Sequence, residues 1–214
     1  MKILNILPIP VFEFNYDLEL TEKILEEVKL LTYMHNANSE NNQVSVEMYY
    51  NKDLFDWFEN CLSQVVERYY LPELKLVITN AWVNKNVFNS KHHYHSHPNS
   101  IVSGIFYLTD NASSSTLFYN KVNPWTKMHD EGILAICDME ETILQRSIKD
   151  SIAPQKGKLI LFPSSIPHSV SINKEKYTRY TISFNSFITG VINKVNGKGP
   201  FTLNVKEIKN ELHK

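Results

Sequence analysis

The residues of this sequence that are best suited to chemistry are histidines. Four of the eight histidines lie within six residues, in the segment HHYHSH at positions 92–97. Side chains alternate along a β-strand, so His93, His95 and His97 would share one face, and two imidazoles spaced by one residue can bind a single metal ion. The alternative interpretation is a solvated, polar end of a strand.

A third metal ligand would have to come from another part of the chain. His168 is the natural candidate, because it ends the segment FPSSIPH at positions 162–168 and lies between two segments with strong strand patterns. Taken alone, a histidine that follows a proline is more often structural. Together, this histidine and the histidine-rich segment predict a metal site more strongly than either does alone.

A polar face is expected on the strand at positions 177–187. One face carries Tyr177, Arg179, Thr181, Ser183 and Asn185, while the other carries Thr178, Tyr180, Ile182 and Phe184. If the polar face lines the inside of a small barrel, Arg179 and Thr181 offer a guanidinium fork and a hydroxyl to an anionic ligand such as a carboxylate. If it faces solvent, this is an ordinary edge strand.

Length and composition narrow the class of protein. The chain has 214 residues, which at roughly 150 residues per domain indicates one domain of generous size. Lys plus Arg total 22 and Asp plus Glu total 23, so no excess of positive charge favours binding to nucleic acid. Two cysteines, Cys61 and Cys137, are too few for a disulfide framework, which predicts a reducing, cytoplasmic location. No apolar run approaches the roughly 18 residues of a membrane span.

Residues 1–73 are expected to form a strand and two helices that support the core. Apolar residues at helical spacing predict one helix from position 17 to about position 33. They predict a second helix from about 54 to 69, with Asp53 as its N-cap. The polar segment 35–43 between them is expected to be a loop. We expect both helices to pack as one layer on a sheet.

From position 74 onward the pattern is that of short β-strands separated by turns, which is typical of a sandwich or a barrel. In the first of these strands, Leu76 and Ile78 are expected to share one face with Trp82 and Asn84. The expected strands span residues 74–84, 101–108, 115–119, 158–162, 168–172 and 177–187.

These elements are interpreted as a single domain, 1–214, whose core covers residues 74–190. Residues 120–155 are interpreted as an insertion between strands, with a short helix near 140–149, that closes over a substrate as a lid. Residues 191–214 are expected to form a C-terminal extension in which apolar residues have loosely helical spacing.

Several motifs together resemble a known protein family. They are WVN at 82–84, HSHPNS at 95–100, SGIFYL at 103–108, GKLILFP at 157–163, PHSV at 167–170 and RYTISFN at 179–185. In order and spacing, the set is similar to the 2-oxoglutarate/Fe(II)-dependent oxygenases of bacteria and marine phages and, more distantly, to the prolyl hydroxylases. The resemblance covers about residues 74–187. It implies a mainly β fold with flanking α-helices, in which a double-stranded β-helix (jelly-roll, cupin-like) core carries the N-terminal helices packed outside.

The resemblance implies a catalytic iron site. It makes His95 and His168 the two histidines of the iron triad, and it places His97 where many such oxygenases carry Asp or Glu. Three neutral imidazoles leave a more cationic centre than two imidazoles and a carboxylate. The His-x-His pattern is nevertheless this family's own signature, so the resemblance implies that His97 is the third metal ligand.

The resemblance also implies a binding site for 2-oxoglutarate. Arg179, eleven residues after His168, matches the arginine that pairs with the distal carboxylate, and Thr181 matches the hydroxyl group beside it. Tyr107 matches the tyrosine that bonds the same carboxylate in prolyl hydroxylases, although a core aromatic residue is an equally good interpretation. Asn84 is a further candidate for contact with the cosubstrate.

The activity that the resemblance implies is a dioxygenase reaction with Fe(II), 2-oxoglutarate and O₂. The cosubstrate would be converted to succinate and CO₂ while an unidentified substrate, a small molecule or a protein side chain, is hydroxylated. No membrane or nucleic-acid partner is indicated, and a homodimer is left open.

Two alternatives remain open at this point. A cupin, acting as a dioxygenase or isomerase without 2-oxoglutarate, would share the segment 157–168, although Ser165 replaces its glycine and the glutamate expected after His97 is missing. A jelly roll that binds a metal or ligand without turnover would use the same types of residue.

Overall fold

The computed structural model describes residues 9–36, 39–69, 74–119, 148–192 and 199–208. Within these ranges the chain forms two α-helices and twelve strands. The helices are α1 (Leu18–Lys29) and α2 (Lys52–Tyr69). The strands are β1 (Phe12–Asn15), β2 (Tyr33–His35), β3 (Asn42–Ser45), β4 (Leu74–Asn86), β5 (His92–His95), β6 (Val102–Tyr107), β7 (Thr116–Tyr119), β8 (Ile148–Ile152), β9 (Lys158–Pro163), β10 (His168–Val170), β11 (Arg179–Ile192) and β12 (Phe201–Leu203).

The strands form two antiparallel sheets. The larger sheet has the order β1-β9-β6-β11-β4-β3-β2, with β12 paired to β11, and the smaller sheet has the order β5-β10-β7-β8. Side chains of both sheets meet in an apolar cluster that joins Ile105 and Tyr107 of the larger sheet to Phe118 of the smaller one. Two antiparallel sheets that bury a face against each other form a β-sandwich, the class of fold to which jelly rolls belong. The expected mainly β fold with a jelly-roll core is therefore confirmed.

Both helices pack on the larger sheet, on the face opposite the smaller sheet. Ile24 and Val28 of α1 and Phe58 of α2 belong to one buried apolar cluster with Val83 and Phe184 of the central strands β4 and β11. The rings of Phe58 and Phe184 lie 4.7 Å apart between centroids. Each fully buried side chain of this kind contributes about 1.5–3 kcal/mol. The amphipathic stripes of the helices therefore fix them to the outside of the core, as expected.

Helix α1 ends earlier than its sequence pattern predicts. Its N-cap is Asp17, whose carboxylate accepts the N–H of Leu20 at 2.8 Å. It ends at Lys29, and Tyr33 begins β2, where it pairs with β3. The Tyr33 hydroxyl donates to the Val28 carbonyl at 2.6 Å. The prediction of a helix up to Tyr33 is corrected, because strand pairing and this hydrogen bond turn the chain away from the helix axis.

Two further corrections concern the connection into α2. Asp53 lies inside the first turn of α2, and Asn51 caps the helix by accepting the N–H of Leu54 at 3.2 Å. The segment 35–43, expected to be a loop, supplies parts of both strands of a hairpin, β2–β3, that extends the larger sheet next to β4.

A β-bulge in β4 changes which of its residues share a face. The register between β4 and β11 shifts at Thr79, which is left as an extra residue in β4. An extra residue reverses the alternation of side chains beyond it. Leu76 and Ile78 therefore lie in the core under the helices, whereas Trp82 and Asn84 line a cavity on the other face. The prediction that these four residues share one face is wrong.

The peripheral segments also contain strands. Strand β8 lies within the range 120–155 that the sequence suggests as an insertion, and it pairs with β7 in the smaller sheet. Residues 120–147 lie outside the described residues, and with them most of the short helix expected at 140–149. In the C-terminal extension, residues 201–203 form a strand that pairs with β11. No helix of the described ranges is both long and apolar enough to cross a membrane.

Candidate active site

The smaller sheet brings three histidines together. Strands β5 and β10 pair so that His95 lies opposite His168, with ring centroids 4.3 Å apart. His97 follows β5, and its backbone N–H donates to the carbonyl of Ser164 at 3.0 Å, which holds it beside the pair. One potential ligand nitrogen from each of the three rings lies within 4.8 Å of the others. The structure thus brings together the three residues that the sequence suggests as metal ligands.

The hydrogen bonds of these rings decide which nitrogen is free. His95 Nδ1 lies 2.9 Å from the carbonyl oxygen of His93, and His168 Nδ1 lies 3.1 Å from that of Ile166. Because a carbonyl oxygen only accepts, each Nδ1 carries the proton and each Nε2 presents a lone pair. The Nε2 atoms of His97 and His168 approach each other to 3.2 Å. Such converging imidazole nitrogens form the donor set of a divalent metal, and iron(II) is among the metals that imidazole suits.

Burial keeps the three rings neutral. It lowers the pKa of His97 to about 4 and the pKa of His168 well below its usual value, and the neighbouring His95 lowers both further. The pKa of His95 is also lowered, with burial as the largest cause. The neutral imidazole is the form that binds a metal, so the three rings are ready to bind at neutral pH.

A buried arginine lies in the same cavity. Arg179 is 1% exposed, and its Nη1 donates to the side-chain oxygen of Asn86 at 3.1 Å. Its Nε and Nη2 have no hydrogen-bond partner within the described ranges, and burial lowers its pKa. Each buried donor without a partner costs about 1–3 kcal/mol. The arginine therefore fits an anionic ligand, and a carboxylate matches its fork in a bidentate arrangement.

Of the other residues predicted to contact the cosubstrate, two line the cavity and one lies behind it. Thr181 and Asn84 line it. Tyr107 is fully buried between the sheets, and its hydroxyl lies 2.8 Å from Thr116 Oγ1. The guanidinium carbon of Arg179 lies 5.4 Å from the centre of the Tyr107 ring. Tyr107 therefore contacts the arginine through its ring, as a cation–π pair. Its hydroxyl is hydrogen-bonded to the threonine and also interacts with the guanidinium, which opposes the lowering of the Arg179 pKa by burial.

Some residues of the cavity were missed by the sequence interpretation. The cavity has a volume of about 210 Å³, and its lining includes Asn42, Asn86 and His92. Asn86 could be predicted from the sequence, because it follows Asn84 on the same face of β4 and pairs with Arg179 of β11. Asn42 could not be predicted, because the sequence indicates a loop where the structure has the hairpin that carries this residue.

Comparison with known proteins identifies a family. The model of the family described as "Putative 2OG-Fe(II) oxygenase" matches residues 80–185, about half of the chain. The matched segment contains the three histidines of the cluster and Arg179. No curated protein sequence matches the chain.

Several solved structures share the fold. HygX from Streptomyces hygroscopicus, with nickel and 2-oxoglutarate bound, is similar with a TM-score of 0.59 and 9% identity over 94% of each chain. An oxidoreductase of the 2OG-Fe(II) oxygenase family from Burkholderia pseudomallei has a TM-score of 0.58 and 10% identity, over 82% of this chain and 83% of that chain. The α-ketoglutarate-dependent epimerase SnoN of nogalamycin biosynthesis has a TM-score of 0.57 and 11% identity, over 93% and 90%. At these identities the likeness shows a common fold.

The family match does not favour the cupin or the non-catalytic alternative, and the comparisons give no support to a homodimer. The matched family uses iron(II) and 2-oxoglutarate as cofactor and cosubstrate, together with O₂. The fold, the histidine cluster and the buried arginine agree with that chemistry. The chain belongs to the 2-oxoglutarate/Fe(II)-dependent oxygenase family and is an enzyme of that class.

Proposed function

We propose that this enzyme is a dioxygenase that hydroxylates its substrate while 2-oxoglutarate is converted to succinate and CO₂. The observation that carries the proposal is a single cavity into which a cluster of three histidines and the unpaired donors of Arg179 both project. Neutral imidazoles suit a divalent metal, and a buried guanidinium suits a carboxylate. The two requirements of this chemistry are thus met in the same cavity.

The metal would be held by His95, His97 and His168. Bound iron(II) supplies the activation of O₂ on which oxygenase chemistry of this class depends. The protein's part is to keep each imidazole neutral and directed at one point. Backbone carbonyls hold the Nδ1 protons of His95 and His168, and a hydrogen bond to Ser164 fixes the backbone at His97.

The cosubstrate would be oriented by the polar face of β11. Arg179 would pair with its distal carboxylate, and Thr181, on the same face of the strand, would add a hydroxyl group. Tyr107 would support the guanidinium from its ring face, and Asn84 would contact the cosubstrate through an amide that now donates to Ser183 Oγ at 2.9 Å. Because Arg179 and Tyr107 are fully buried, this end of the cavity excludes water and strengthens the ion pair.

The substrate is proposed to be a small molecule or a protein side chain. A structure of HygX with a TM-score of 0.57 holds hygromycin B, and one of SnoN with a TM-score of 0.52 holds nogalamycin RO, which supports the small-molecule choice.

We also propose that residues 1–214 form one domain, in which 1–73 support a core at 74–190, 120–155 are an insertion and 191–214 are an extension. A cytoplasmic location stays a prediction.

The proposed function is tested by an anaerobic titration of the metal-free protein with Fe(II) and 2-oxoglutarate, followed by visible absorption. We expect a metal-to-cosubstrate charge-transfer band that is absent from His168→Ala and Arg179→Ala. The band should be retained in His35→Ala, because His35 is exposed on β2. Admission of O₂ should then yield succinate in the wild type.

Two results would contradict the proposed function. If no band forms and the histidines hold zinc tightly instead, the cavity does not bind Fe(II) and 2-oxoglutarate as proposed, and the proposal is wrong. A band that forms without succinate after O₂ is admitted would show that the protein binds Fe(II) and 2-oxoglutarate, and it would contradict the proposed turnover.

A further inference from the structure

His92 and the β2–β3 hairpin form a part of the cavity wall that the proposed function does not use. Asn42 at the start of β3 lines the cavity together with His92. Asn42 also lies outside the segment 80–185 that the family model matches. The family match therefore assigns no role to the hairpin.

The hydrogen bonds at His92 fix its tautomer. Asn42 Nδ2 lies 2.7 Å from His92 Nδ1, and Ser39 Oγ lies 3.1 Å from the same atom. An amide N–H only donates, so His92 Nδ1 accepts, and a neutral imidazole with an accepting Nδ1 carries its proton on Nε2. This is the reverse of His95 and His168, whose Nδ1 atoms donate to carbonyls. His92 is therefore a donor in a cavity where those two rings present lone pairs.

A row of residues across three strands connects Asn42 to the arginine. Asn42 of β3 is in register with Asn86 of β4, and Asn86 is in register with Arg179 of β11. Asn86 accepts a hydrogen bond from Arg179 Nη1 at 3.1 Å. Within the described ranges, Asn86 Nδ2 and Arg179 Nε and Nη2 have no partner, and neither does the acceptor Asn42 Oδ1. Three buried nitrogen donors without an acceptor require a ligand with several lone pairs.

We propose that His92 Nε2–H is a further donor to the carboxylate that Arg179 holds, and that Asn42 is the positioning residue that keeps this proton on Nε2. The inference rests on the proposed function, because it takes that carboxylate to be the distal one of 2-oxoglutarate. An ionised carboxylate has about four lone-pair sites, so it can accept from His92 in addition to the two free nitrogens of Arg179 and the Thr181 hydroxyl. The site is thereby specific for a dicarboxylic 2-oxo acid, because a monocarboxylic analogue leaves these donors unpaired.

A second metal site is the competing use of the same histidine. His92, His93 and His95 each offer a nitrogen within 4.8 Å of the others. That site requires a free lone pair on His92, whereas the lone pair of its tautomer lies on Nδ1 and accepts from Asn42. If His92 is a hydrogen-bond donor, each chain binds one metal ion. If His92 is a metal ligand, each chain binds two.

Two variants of His92 separate these uses. His92→Gln keeps an N–H donor near the place of Nε2, while the amide of His92→Asn reaches only the place of Nδ1. Calorimetry on the anaerobic, iron-loaded protein measures the dissociation constant for 2-oxoglutarate. The dissociation constant of His92→Gln should equal that of the wild type. The dissociation constant of His92→Asn should rise about tenfold, the change expected for one lost hydrogen bond to a charged group. For 2-oxopentanoate, which lacks the distal carboxylate, both variants should match the wild type. His35→Gln, on the exposed part of β2, is the matched control.

The tautomer gives a measurement that does not depend on activity. Nitrogen-15 NMR of the zinc-loaded protein should show His92 protonated at Nε2, and Asn42→Leu should remove that preference. Metal analysis should give one ion per chain in the wild type and in both His92 variants.

Three results would overturn the inference. One is equal affinity of both His92 variants for 2-oxoglutarate while Arg179→Ala abolishes binding, which would leave the proposed function intact. Another is a second metal ion that is lost in His92→Asn. A wild type that binds no 2-oxoglutarate would overturn the inference and the proposed function together.

Discussion

His95 and His168 face each other across the β5–β10 pair, with ring centroids 4.3 Å apart. Strand β10 pairs with β5 on one side and β7 on the other, and His168 is 3% exposed. The two rings are therefore positioned by the ladder of a sheet rather than by a loop. A site built on paired strands holds its geometry more closely than a site built on loops.

Removal of His168 should abolish stable metal binding. Only the imidazoles of His95 and His97 would remain as ligands, so we expect the affinity for iron or zinc to fall by at least an order of magnitude. Even the loss of a residue that hydrogen-bonds to a metal ligand lowers metal affinity about tenfold to a hundredfold. The metal content of His168→Ala after dialysis against a mild chelator is the measurement. His35→Ala serves as the control, and the unfolding midpoint of the metal-free proteins shows whether the fold is retained. Wild-type metal content in His168→Ala would contradict the assignment.

Arg179→Met should remove binding of 2-oxoglutarate without destabilising the metal-free protein. The guanidinium is fully buried with two nitrogens that have no partner among the described residues, a cost of about 1–3 kcal/mol each. An apolar side chain of similar length removes this cost, although Asn86 then loses its donor. We expect a free energy of unfolding in urea that is equal to or above that of the wild type. A large loss of stability would show that the arginine serves the fold rather than the ligand.

The metal-free protein should lose stability as the pH falls below about 6.5. Burial lowers the pKa of His97 to about 4 and that of His92 to about 3, whereas an unfolded histidine titrates near 6.5. Between these values the unfolded chain binds more protons than the folded one. This contribution to stability is therefore complete above the unfolded pKa and is lost as the pH falls through the folded pKa. Urea midpoints from pH 7 to pH 4 measure it, and His97→Gln should flatten the profile. An unchanged slope in that variant would refute the explanation.

The histidine cluster and the arginine could be predicted from the sequence because alternation along a strand is a local property. It places Arg179 and Thr181 on one face whatever the rest of the chain does. The tautomers of His95 and His168 could not be predicted, because they depend on which backbone carbonyls lie beside each Nδ1. Strand patterns reveal which residues can meet, whereas the partners of their ring nitrogens are set by the packed structure.

The hairpin and the bulge show a second limit of sequence reasoning. Strands β2 and β3 are short and polar, and they are held by pairing with each other and with β4, so a local pattern gave no sign of them. The bulge at Thr79 depends on the register between β4 and β11. Register is a property of two distant segments, and a one-residue shift moves every following side chain to the other face.

Gly104 of β6 is required by a close contact with Phe184, its partner in β11. A Cβ atom on Gly104 would overlap the Phe184 ring. The ring is held on its other side by Phe58 of α2, at 4.7 Å between centroids, so it has little room to move away. Gly104→Ala should therefore lower the free energy of unfolding by about 1–3 kcal/mol, the usual cost of overpacking.

The cause of this loss can be tested with a double variant. Phe184→Leu removes the ring atoms that the new methyl group would meet, at the cost of a smaller core side chain. If the clash is the cause, Gly104→Ala combined with Phe184→Leu should be less destabilised than the sum of the two single variants in urea denaturation. Strictly additive losses would mean that the added methyl group disturbs the β6 backbone itself, and the contact with Phe184 would not be the reason for a glycine at this position.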